Sequence, residues 1–130
     1  MTATSLDANV VLRMILNDVP EQANRGAEFL DRHKCYLTDV VISECVFVLE
    51  KVYKLDRFFI KRSMEILFEI ETLNFNERLI EETFDLYVAH KSLSFADCYS
   101  VAEATLRQNE LLTFDRAIIR KCSPVAKEPL

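Results

Sequence analysis

The sequence has a single glycine, Gly26, and no tryptophan. Loops that cradle phosphates need several glycines so that the backbone can approach the ligand, which excludes P-loop and dinucleotide-binding readings. Histidine is almost as scarce. His33 and His90 lack the spacing of a metal pair and read as surface or internally satisfied residues. Cys35, Cys45, Cys98 and Cys122 contain no C-x-x-C pair, which argues against structural zinc, dithiol redox chemistry and a disulfide framework. Cys45 and Cys98 fall in helical apolar patterns, so buried, reduced thiols are expected. No apolar run approaches the roughly 18 residues of a membrane span, and no basic-then-apolar leader follows Met1. A cytoplasmic protein without a membrane role is the expectation.

Basic charge is also in short supply, with 16 Lys and Arg against 21 Asp and Glu and a net charge of −5. For a nucleic-acid binder this is the wrong sign, since affinity for phosphates comes from basic surface. A cluster of acids that enclosed metal ions would leave the rest of the chain close to neutral and invert the local field. Half of the 130 residues are hydrophobic and 28% are charged, the composition of a soluble globular chain, most simply one domain over 1–130.

Short β-prone runs alternate with helical patterns along the whole chain. Thr4-Ser5-Leu6 runs into Asp7, and Val10, Val11, Met14 and Ile15 begin a helix that stops near Asn17-Asp18. Pro20 suits the first turn of a second helix to about Arg32. Cys35–Thr38 reads as a strand, with Thr38 or Asp39 capping a helix from about Val41 to Tyr53 whose apolar set is Cys45, Val48, Leu49 and Val52. Asp56 caps the next helix, Thr72–Phe75 is a strand, and Asn76 and Ser94 cap two more helices. Glu110–Phe114 is a strand ending in Asp115, a short helix covers Arg116–Lys121, and Ser123–Ala126 is a last strand. Strands separated by helices predict an α/β/α sandwich, three layers around a central, mainly parallel sheet.

Four acids share a placement in that pattern. Asp7 and Asp115 lie just past a strand's end, while Glu44 and Asp97 lie in the first turn of a helix. In a parallel sheet the strand ends point the same way, so the four can converge at one edge, where open α/β sheets bind ligands. Carboxylates brought close together repel, and a cation must fill the cluster. Oxygen ligands without His or Cys favour Mg²⁺ or Mn²⁺ over zinc. Each acid also has an ordinary reading, as a helix cap or as a first-turn acid favoured by the helix dipole.

Leu6-Asp7-Ala8-Asn9-Val10-Val11, Ser43-Glu44, Leu93-Ser94-Phe95-Ala96-Asp97-Cys98 and Leu111-Leu112-Thr113-Phe114-Asp115, in this order and spacing, resemble the PIN-domain family. The nearest flavour is the VapC-type toxin ribonuclease of toxin–antitoxin pairs, and the likeness runs through essentially the whole chain. The resemblance implies a parallel-sheet sandwich and a Mg²⁺- or Mn²⁺-dependent endoribonuclease that hydrolyses RNA to leave a 5′-phosphate and a 3′-hydroxyl. It implies that Asp7, Glu44 and Asp97 are core catalytic, metal-binding acids, with Asp115 the fourth and more variable one. Asn9 and Thr113 fall on polar positions that support such a site, although turn and strand-end hydrogen bonding would explain them equally. An antitoxin protein is the implied partner.

The densest basic stretch is Lys51, Lys54, Arg57, Lys61 and Arg62, which reads either as a solvated helix face or as a phosphate-binding lip, with Tyr53, Phe58 or Phe59 near enough to stack a base. Arg116 and Arg120 are further candidates. Phe47, Phe58, Phe59, Phe68 and Phe84 exceed what a small core needs, so some are expected at a homodimer face or a partner's groove. The rival reading is a non-catalytic PIN-like binding module for RNA or protein, which the negative charge favours. A phosphoacceptor receiver domain is set aside, because Asp7 is followed by Ala8 rather than paired with a second acid.

Overall fold

The computed structural model describes residues 3–130, and the chain divides into two compact units, the first ending at Asn76 and the second beginning at Glu77. The first unit begins with β1 (Thr4–Ser5), α1 (Ala8–Leu16), α2 (Pro20–Arg32) and β2 (Cys35–Leu37). It continues with α3 (Asp39–Phe47), a π-helical turn over Val48–Val52, α4 (Arg57–Phe68) and β3 (Leu73–Phe75). Its sheet has the order β1-β2-β3 and every pairing is parallel, with Thr4 opposite Cys35 and Cys35 opposite Leu73. Cys35 and Leu37 on the middle strand are wholly buried while Tyr36 between them is exposed, the period-two alternation of a sheet with one covered face.

Helix ends follow local chemistry. Pro20 occupies the first turn of α2, Thr38 Oγ1 accepts from Val41 N–H to cap α3, and Asp56 accepts from Phe58 and Phe59 N–H to cap α4. Gly26 allows α1 and α2 to approach closely, since a methyl there would sit 3.2 Å from Cγ and Sδ of Met14. Val11, Leu30, Ile42, Cys45, Leu49, Ile60 and Met64 are buried and form the core of this unit.

One helix differs from expectation. The run expected to be a single helix to Tyr53 is α-helical only to Phe47, and Tyr53 N–H then reaches back to Val48 O in the wider π spacing. The extra residue in that turn rotates the rest of the segment about its axis. Leu49 stays in the core, but Val52, expected on the apolar face, is 64% exposed. The turn also carries Glu50 towards Arg57.

The second unit holds α5 (Glu77–Ala89), α6 (Phe95–Arg107), β4 (Leu111–Leu112), α7 (Arg116–Cys122) and β5 (Ala126–Lys127). Packing of α5 on α6 is organised by edge-to-face contacts among Phe84, Tyr87 and Phe95, with ring centroids 4.9–6.1 Å apart. Strands β4 and β5 pair in parallel, Leu111 opposite Ala126. The last strand lies at Ala126–Lys127 rather than Ser123–Ala126, because Pro124 has no N–H to give a ladder and the pairing starts at Val125 O. The α/β class with parallel strands holds, and helix predominates. All four cysteines are buried and none is in a disulfide, and Cys45 and Cys98 lie in the core as their helical patterns imply. Among the described residues no helix is long and apolar enough to cross a membrane.

Candidate metal centre

In the first unit, Asp7 lies two residues beyond the end of β1 and caps α1, its Oδ1 accepting from Ala8 N–H at 2.9 Å. Glu44 stands in the second turn of α3, exposed, one residue before the buried Cys45. Cys45 Sγ donates to Ala8 O across 3.8 Å, which ties α3 to the first residue of α1. The Cys45 thiol is pushed up to about 12, first by burial and then by the negative charges of Glu44 and Asp7. Both carboxylates therefore raise the proton affinity of one buried thiol.

Asp97 and Asp115 belong to the second unit. Asp97 is the third residue of α6 and completes a reciprocal cap, its backbone N–H donating to Ser94 Oγ at 3.1 Å and its Oδ2 accepting from Ser94 N–H at 3.2 Å. Asp115 caps α7, with Oδ1 accepting from Ala117 and Ile118 N–H. Thr113 supports it directly, because Thr113 Oγ1 accepts from Asp115 N–H at 3.0 Å.

Capping and metal ligation are therefore compatible here. Each of the three aspartates commits one carboxylate oxygen to a cap and keeps the other. None of the four acids makes an ion pair among the described residues. Carboxylate oxygens not neutralised by lysine or arginine are the donor type that suits a hard divalent ion. As they stand, the described residues contain no group of three or more His, Cys, Asp or Glu side chains disposed to hold an ion.

The basic candidates divide. Arg57 is drawn inward, its side chain 12% exposed, with Nε and Nη2 at 3.4 and 3.3 Å from Glu50 Oε2. Lys51 lies 3.7 Å from the same carboxylate but is largely exposed. Lys54 is exposed, on left-handed backbone with φ 58°. Lys61 is half-buried and Arg62 reaches Glu65 at 3.9 Å. Arg116 is exposed and meets Glu128 at 3.5 Å. Tyr53, Phe58 and Phe59 all present surface to solvent, as stacking would need. His33 stacks on Phe29 with ring centroids 4.0 Å apart, and its Nδ1 lies 3.0 Å from Phe29 O.

Asp7 and Asn9 also share a cleft of about 740 Å³ with Arg13, Gln22, Arg25 and Phe29. Arg13 is held there by Asp18 at 2.9 Å and Gln22 at 3.0 Å. The sequence pattern placed Phe29 in the apolar set of α2 and did not single out the others, although Gln22, Arg25 and Phe29 recur at helical spacing and Arg13 lies one turn after Asn9.

The family model for the PIN domain matches residues 5–123, a span that includes all four acids. The chain belongs to the PIN-domain family. PIN domains are generally nucleases, and the nucleases among them generally use divalent metals. Among solved structures, the PIN chain is similar to a toxin–antitoxin complex from Klebsiella pneumoniae, with 16% identity over 99% of this chain and 98% of that one and a TM-score of 0.37. No curated protein matches it.

Proposed function

We propose that this PIN domain is a divalent-metal-dependent endoribonuclease, with Asp7, Glu44, Asp97 and Asp115 as ligands to Mg²⁺ or Mn²⁺. The observation that carries the reading is family membership combined with four motif acids that make no ion pair among the described residues. A divalent ion bound there would activate an attacking water and offset the charge that develops on the leaving oxygen. The chain's own part is to hold the carboxylates in place. Asp7, Asp97 and Asp115 are oriented by the caps that each makes with one oxygen, and Thr113 fixes the backbone of Asp115. Lys51, Lys54, Lys61 and Arg116 would meet the RNA phosphates, whereas Arg57 braces the π-helical turn through Glu50.

The same reading makes the protein the cytoplasmic toxin of a toxin–antitoxin pair, a single domain over 1–130 and a homodimer. The motif order supports the toxin role. The exposed rings of Phe47, Phe58 and Phe59 would supply apolar area for a second copy or an antitoxin. The second reading, a binding module without catalysis, draws on the net charge of −5 and on the lack of three clustered ligands among the described residues.

A mixed RNA pool that includes total tRNA, incubated with Mg²⁺ or Mn²⁺ or with EDTA, tests the proposal beside Asp7→Asn. Metal-dependent cutting that the variant loses supports the nuclease. A folded, antitoxin-free protein that cuts nothing and shows no heat on Mg²⁺ titration would leave the binding module. Gel filtration at micromolar concentration tests the dimer, and a monomer there removes it.

A further inference from the structure

Phe114 stands between Thr113, the last residue bonded to β5, and Asp115, the cap of α7. Its ring is 75% exposed, and Leu112, two residues earlier and on the same side of the extended chain, is 57% exposed. The backbone on either side is held firmly. Thr113 N–H donates to Lys127 O at 3.0 Å, Asp115 N–H donates to Thr113 Oγ1 at 3.0 Å, and Asp115 Oδ1 takes up the N–H groups of Ala117 and Ile118. An aromatic ring is thus presented to solvent from a turn that is locked before and after it.

The charge around it is of the opposite sign to that of the whole chain. Arg116, Arg120 and Lys121 come within the next two turns, all exposed, against two carboxylates, those of Asp115 and of Glu128, which lies 3.5 Å from Arg116. Arg116 and Arg120 are one helical turn apart and so lie on one face of α7. An exposed ring beside exposed cations suits one ligand chemistry above others: an unpaired base to stack on the ring, with its own phosphates to meet the arginines. A protein partner for Leu112 and Phe114 would have no use for three adjoining cations unless it were acidic.

We infer that Phe114 is a base-stacking platform that makes this nuclease select single-stranded RNA, with Arg116 and Arg120 gripping the phosphates beside the stacked base. This rests on the ribonuclease reading above, because the stacked base is a nucleotide of the strand that Asp115 helps to cut. Stacking requires a base free of its duplex partner, so the preference for unpaired RNA comes from the ring itself.

The test is fluorescence anisotropy of full-length protein in EDTA, where metal-dependent cutting is silent, with a short labelled single-stranded RNA and the same strand in a duplex. Phe114→Ala is expected to weaken the single-stranded complex by roughly tenfold, and Phe114→Trp to restore it. Phe114→Leu, which replaces apolar bulk without a π-face, is expected to behave like alanine. Duplex binding should barely change in any of them. Unaltered single-strand affinity in Phe114→Ala, rescue by leucine, or equal losses for both RNAs would overturn the inference. The failures are separable: wild-type protein that cuts RNA while Phe114→Ala binds normally defeats this inference alone. Wild-type protein that neither binds nor cuts RNA defeats the nuclease reading and this one together.

Discussion

Arg57→Ala separates what the sequence suggested for this residue from what the fold makes of it. As a member of a basic run, Arg57 should contribute to RNA affinity and little to stability. In the structure its guanidinium is directed at Glu50, and the two side chains are 12% and 21% exposed. Truncation removes the guanidinium beside Glu50 and leaves Lys51 at 3.7 Å. Stranding a well-buried carboxylate costs about 3–5 kcal/mol. Here the donor distances are long and a fifth of Glu50 still meets water, so the cost is nearer that of one unsatisfied polar group, about 1–2 kcal/mol. For 130 residues at about 2.1 cal/mol/K per residue, the unfolding entropy is about 0.27 kcal/mol/K, so Tm should fall by about 4–7 °C. Thermal melts in EDTA read the first effect, and anisotropy with single-stranded RNA under the same conditions reads the second. RNA affinity should change by less than about twofold, against several-fold for an exposed phosphate contact. An unchanged Tm with clearly weakened RNA binding would refute the bracing role and return Arg57 to the substrate surface.

Three further outcomes are set by local features. Asp115→Ala removes the cap of α7 and should cost about 1 kcal/mol, whereas Asp115→Asn, which keeps a capping oxygen, should melt near wild type while losing metal-dependent cutting; equal melts for both would deny the cap. Cys45 should resist iodoacetamide at pH 8 in the folded protein and react once unfolded. Its thiol is raised from 9.0 to about 12, so the fold favours the protonated form: that stability is complete below about pH 9 and is lost as pH rises towards 12. Rapid native alkylation at pH 8 would show that the site is open. Lys54→Gly should stabilise the protein by up to about 1 kcal/mol, because Lys54 holds a φ of 58° that glycine adopts without strain; a lower Tm would mean that the lysine side chain contributes contacts of its own.

Most of the element map was legible because the signals are local. Pro20 at a helix start, Asp56, Ser94 and Asp115 as caps, and the β-prone runs before Asp7 and Asp115 each depend on residues within one turn of the feature they set. Where expectation failed, a longer-range demand had prevailed. Glu50 and Arg57 are seven residues apart and sit on different helical segments, so no periodicity announces their pairing, and the π-helical turn that accompanies it shifts Val52 to solvent. The cleft shared by Asp7, Asn9, Arg13 and Arg25 likewise needs two helices laid side by side, which the lone glycine at position 26 permits.

The sequence by itself determined the α/β class, the helix caps, the burial of Cys45 and Cys98 and the ordered set of acids that marks a PIN domain, since capping, periodicity and motif order are properties of neighbours along the chain. Tertiary structure decided what those side chains face. It buried the Cys45 thiol within reach of the charges of Glu44 and Asp7, withdrew Arg57 from solvent, gave Thr113 the task of holding Asp115, and left Phe114 exposed beside it. The physical reason is that burial and charge pairing depend on distances through space, and those are set only when helices and strands from distant parts of the chain come to rest against one another.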